Sequence, residues 1–225
     1  MSAVPPRLDL DALHTLVRAR RTLKVLGDPQ NPVPIPDEVA ARHRPHVLEA
    51  LQTAGWAPFH YNRALDGLAE PWRAYVLWAP TCRQVALDLP TWRPDLAPTS
   101  KLPPMLAACG ALILVTWCPQ FYDLADRKPK QVQVDEEHLA ASAAMVQTLL
   151  LLLTAHGMGT YWSSGGVLGS ADVLAPLGID TEERLLAAVF VEYPETLDQP
   201  LVRRPGKHRD RRSDGWIREV TLTSP

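Results

Sequence analysis

Arg20-Arg21-Thr22-Leu23-Lys24 (RRTLK) sets three fixed cations and a hydroxyl within five residues, directly after an amphipathic segment. A guanidinium fork matches phosphate oxygens and an ammonium adds compact charge, so this composition suits a phosphate grip. A solvated charge run at a helix end has the same composition. The order of the motifs that follow separates the two readings. Trp56-Ala57-Pro58-Phe59-His60-Tyr61-Asn62 comes next, then Glu70-Pro71-Trp72-Arg73, Tyr161-Trp162-Ser163-Ser164-Gly165-Gly166 and Lys207-His208-Arg209.

Bulk properties frame these motifs. With 225 residues and 46% hydrophobic content the chain has material for one large core, and neither repeats nor a linker divide it. A formal net charge of -2 provides no global basic field, which argues against nucleic acid as the main partner and makes any anion site local. The three cysteines, Cys82, Cys109 and Cys118, form no CxxC pair and read as buried small hydrophobes. The start, MSAVPPRLDLD, lacks a basic region followed by an apolar stretch. Both features fit a reducing cytoplasm.

Hydrophobic spacing predicts a helix from Asp9 or Asp11 to Arg20 or Arg21, after a loose tail over 1–8. A helix opening at Asp37 should be divided by Pro45, its second part ending at Gly55. A strand is expected over 73–78, a helix over 81–89 and irregular chain over 90–104. The continuous apolar run 107–117 reads as a buried strand, and 119–133 as a charged connection. A long helix over 135–156 stops at Gly157-Met158-Gly159. Gln147, Thr148 and His156 interrupt its apolar run, which is too short and polar to span a membrane and belongs in a core or a subunit interface. A short helix over 171–176 and strands over 185–193 and 215–223 complete the prediction.

In order and spacing these motifs resemble the FMN-dependent nitroreductase family over roughly residues 13–223. The resemblance implies one α+β domain, 1–225, with a central, mainly antiparallel sheet flanked by helices. It also implies a homodimer with FMN at the interface and a C-terminal strand exchanged between protomers. Arg20, Thr22 and Lys24, with Arg21, correspond to the residues that hold the flavin phosphate and ribityl chain. Lys207 and Arg209 match the family's second basic pair, although an exposed basic tail over 203–212 is the plainer alternative. Pro58, Phe59, His60 and Asn62 match the loop beside the flavin; here residues 63–69 are inserted before Glu70-Pro71-Trp72. Ser164 and Gly165 align with the backbone facing the flavin N5 edge, with Trp162 on the ring face. Gln147 either touches flavin or substrate or bonds between helices, and Lys101 falls where the family places a cation at the pyrimidine edge.

The function implied is hydride transfer from NAD(P)H through flavin N5 to a small electron-poor acceptor such as a nitroaromatic or quinone. The alternative is a flavin-binding protein without turnover. Other chemistries lack their signatures: no P-loop, Gly-x-Ser-x-Gly or Gly-x-Gly-x-x-Gly is present, and His43-x-x-His46 lacks a nearby third metal ligand.

Overall fold

The computed structural model describes residues 9–32, 34–64, 67–120, 128–197, 202–206, 208 and 211–220. It is built on the most apolar stretch of the chain. Strand β3 (Ala111–Trp117) is buried at every position, as its aliphatic run Ala111–Val115 suits, because both faces are covered by helices. It is flanked by β2 (Trp72–Trp78) and β5 (Arg184–Glu192), and β4 (Gly159–Ser163) closes the far edge, giving the antiparallel order β2-β3-β5-β4. A separate ribbon pairs β1 (Leu23–Leu26) with β6 (Val202–Pro205) antiparallel, and a parallel bridge from Thr22 to Thr160 fastens it beside β4.

Helices α2 (Asp37–Ala54) and α5 (Pro129–Ala155) cover one face of the sheet. The other face is covered by α3 (Ala79–Trp92), α4 (Leu102–Ala108) and the short α6 (Ala171–Leu174). Helix α1 (Leu10–Ala19) is capped by Asp9, whose carboxylate accepts from the Ala12 amide at 3.1 Å. Helix α7 (Pro194–Leu197) follows β5. The architecture is the expected α+β sheet between helices, and five details differ.

Pro45 does not divide α2. It lies on the solvent side, as does Ala41, so the carbonyl that loses its N–H partner can face water. Residues 107 and 108 close α4 rather than open β3, because Pro103 and Pro104 sit in the first turn, where a missing N–H costs nothing. Helix α5 begins at Pro129, six residues before Asp135, with the Gln131 side chain accepting from the Lys128 amide at 2.8 Å. By length and composition it could cross a membrane, yet Val134, His138, Met145, Leu149 and Leu153 are buried against the rest of the fold. Strands β1 and β6 lie where a helix end and a basic tail were expected. Finally, the described part of the predicted C-terminal strand, 215–220, is turn and irregular chain, with Trp216, Ile217 and Val220 exposed at 78%, 55% and 87%. Among the described residues that segment pairs with no strand.

Candidate active site

The β1–β6 ribbon is what gives the basic motif its geometry. Its register sets Lys24 opposite Arg204, and the Gly206 amide donates to the Thr22 carbonyl at 3.1 Å. Lys24 is half-buried, with Nζ 5.2 Å from the centre of the Tyr161 ring. Burial, reinforced by the neighbouring cations Arg204 and Lys101, holds its ammonium below the usual lysine range. Among the described residues none of these three cations forms an ion pair. A cluster of like charges without a carboxylate is poised for an external anion, which would reverse the repulsion. Arg20 reaches the Thr22 hydroxyl at 3.5 Å and Arg21 is exposed. Lys207 and Arg209 lie outside the described residues, directly after the Gly206 contact with Thr22.

Tyr161 belongs to β4, whose other end leads into Ser164, Gly165 and Gly166. Gly165 and Gly166 take left-handed backbone at φ 84° and 55°, and a Cβ on Gly165 would lie 2.3 Å from the Leu185 side chain. The Gly165 amide donates to the Ser163 hydroxyl at 3.1 Å, while Ser164 is exposed. A cavity of about 790 Å3 opens beside Ser164 and Gly166 and continues to Ser170 and Arg184. The residues present fit a phosphate-bearing cofactor: the cationic cluster suits its phosphate, and exposed Ser164 and Gly166 leave open backbone beside the cavity. Trp162 faces the other way, packed against the core under α2 and α5.

The loop motif stands elsewhere. Pro58, Phe59 and His60 line a cavity of about 400 Å3 with Glu137, Ala140, Ala141 and Ala144 of α5. His138 donates from Nε2 to the Tyr61 carbonyl at 3.2 Å, and burial lowers its pKa. Lys130 donates to the Tyr61 hydroxyl at 2.5 Å. Asn62 closes a turn by accepting the Ala64 amide at 2.7 Å. The inserted segment is tied down by Arg63, whose guanidinium donates to the Cys118 and Pro119 carbonyls at 2.8 Å each. Gln147 is exposed on α5, in line with Ala140 and Ala144. One chain therefore carries the basic motif and the loop motif on different surfaces, with the exposed face of α5 beside the loop.

Sequence reasoning left Arg204 within an undifferentiated basic tail and considered Lys101 only for another role. Alternation in β6 was the missing information: Arg204 turns toward Lys24, and Arg203 turns in to donate to the Thr196 carbonyl at 2.9 Å. Among the described residues no group of three His, Cys, Asp or Glu side chains stands together as a metal site.

A helix-covered antiparallel sheet, with a local cationic cluster and a glycine-lined cavity at its edges, defines the class of the fold as α+β. The chain matches the nitroreductase family over residues 32–191 and belongs to it. It is 24% identical over 204 residues to a Bacillus subtilis (strain 168) protein named "Putative NAD(P)H nitroreductase YfhC", covering 88% of this chain and 92% of that one. The crystal structure of a nitroreductase-like family protein from Bacillus cereus superposes with a TM-score of 0.55 at 19% identity, over 94% of this chain and 98% of that one. That of the FMN-dependent nitroreductase NfnB from Mycobacterium smegmatis in complex with NADPH gives 0.53 at 18%, over 84% and 90%.

Proposed function

We propose that this chain is an FMN-dependent NAD(P)H oxidoreductase that reduces small electron-poor acceptors. The observation that carries the reading is the cationic cluster of Lys24, Arg204 and Lys101, without a carboxylate, beside Tyr161. Arg20, Thr22, Lys24 and Arg204, joined by Lys207 and Arg209, hold the phosphate. Lys101 screens the anion from the outer side. Ser164 and Gly165 bring backbone against the ring, in a left-handed turn that Leu185 closes from the core side. When bound, FMN supplies the two-electron chemistry between a reduced nicotinamide and a nitroaromatic or quinone. The protein binds, orients and excludes water, so no side-chain nucleophile is needed.

The reading includes a homodimer. Ala140, Ala144, Gln147 and Leu139 form an exposed, mainly small and apolar stripe on α5, and Trp216, Ile217 and Val220 are apolar side chains without a place in their own chain. Pairing through this stripe sets Pro58, His60 and Asn62 of one protomer toward the other's basic motif. The exposed C-terminal segment crosses to the partner. Three free, buried cysteines support work in a reducing compartment such as the cytoplasm.

Steady-state oxidation of NADH and NADPH with a nitroaromatic and with a quinone tests the reading. Acceptor-dependent turnover that disappears on stripping FMN is expected. Tight FMN binding with no turnover for any pairing would favour flavin binding without catalysis.

A further inference from the structure

At the opposite edge of the sheet from β4, where β2 and β5 end and β3 begins, α2 roofs a cavity of about 640 Å3. Its walls are mainly apolar: Trp78 and Tyr193 contribute rings, Pro45 and Pro80 flat pyrrolidines, and Leu48 an aliphatic side that is 40% exposed. The Tyr193 hydroxyl donates to the Gly110 carbonyl at 3.2 Å, and its ring stacks on His43 at 4.8 Å, so the phenol is fixed. Gly110 is required for this closure, since a Cβ there would lie 2.7 Å from the Tyr193 ring. The volume suits a small organic molecule rather than water alone.

One lining residue is charged. Arg44 holds its guanidinium 4.9 Å from the Trp78 ring, and among the described residues it makes no hydrogen bond or ion pair. The nearby carboxylate is already engaged, because Glu195 pairs with Arg42 at 2.8 Å and with His43 at 2.7 Å. An uncompensated guanidinium at an apolar, ring-walled cavity selects a flat apolar body carrying one anionic group.

We propose that the cavity between α2 and the end of β2 is a second ligand site, which takes a planar aromatic monocarboxylate with its carboxylate on Arg44 and its ring against Trp78. The site is independent of the redox reading, since none of its residues lies in the flavin motifs.

Calorimetric titration of the full chain, saturated with FMN, with 2-naphthoate and with neutral 2-naphthylmethanol tests it. The naphthoate should bind at least about tenfold more tightly than the alcohol, which lacks the charge-assisted contact. Arg44→Met should erase that preference, and Ala41→Trp, which fills the cavity from the helix, should abolish binding of both. Both positions are exposed on α2, so both variants should fold, which a cooperative thermal transition checks. Equal affinity for the two naphthalenes, no binding up to millimolar ligand, or naphthoate binding unchanged in both variants (a site over the flavin included) overturns the proposal. Binding that emerges only after residues 211–225 are deleted also overturns it, by giving the cavity to the chain's own C-terminal segment.

Discussion

Replacing Glu192 with Gln should make the protein more stable than the parent at pH 8 while leaving the two nearly equal at pH 5. Glu192 is 2% exposed and faces Gly159 across the β4–β5 pair, roofed by Leu23 and Leu197. Its Oε2 has no hydrogen-bond partner among the described residues. Burial pushes its carboxyl up to about 8, and Arg203 and Arg83 only partly oppose the shift. Unfolded, the group titrates near an ordinary glutamate value, so between the two values the folded chain binds more protons. The stability it contributes is therefore complete at low pH and is lost as pH rises toward the folded value. At about 1.4 kcal/mol per unit, the parent loses about 3 kcal/mol between pH 5 and 8 through this group. Glutamine stays neutral and escapes that loss. Urea unfolding of both proteins at pH 5, 6, 7 and 8, at one protein concentration, reads the difference directly. A difference that stays flat within about 0.5 kcal/mol would show Glu192 ionised in the fold, as a buried partner of Arg203, and would refute the reasoning.

Two further outcomes separate local geometry from assembly. Gly165→Ala should cost more than about 2 kcal/mol in thermal unfolding, because left-handed backbone and the 2.3 Å approach to Leu185 add; Gly166→Ala meets nothing within 4 Å and should cost about 1 kcal/mol. Deleting residues 211–225 should lower the dimer's resistance to dilution in sedimentation and weaken FMN retention, since Trp216, Ile217 and Val220 are mostly exposed within their own chain.

The core was legible where composition leaves one solution. An aliphatic run such as Ala111–Val115 is best covered on both faces, and the helix over 135–156 is too apolar to stand at the surface on every side. Pro129 as a first helical residue and Gln131 reaching back to Lys128 were readable signals for the earlier start of α5, masked by the surrounding charge. Strands β1 and β6 were illegible because four residues are too few to show alternation, LKVL and VRRP share no pattern, and their pairing joins the two ends of the chain. That pairing sets Lys24 opposite Arg204, so the cationic cluster was half visible: the motif was in the sequence, its opposing cation in the register. The separation of Pro58–Asn62 from Lys24 follows from which side of α5 the loop occupies, information that only packing supplies.

The phosphate grip is the central claim, and titrating FMN, riboflavin and FAD into the flavin-stripped protein tests it most directly. Lys24, Lys101 and Arg204, with Arg20 beside them, should make FMN bind about 100-fold more tightly than riboflavin, which has the same ring and no phosphate, and FAD should bind poorly because it carries no terminal phosphate dianion. Riboflavin binding as tightly as FMN would contradict the account.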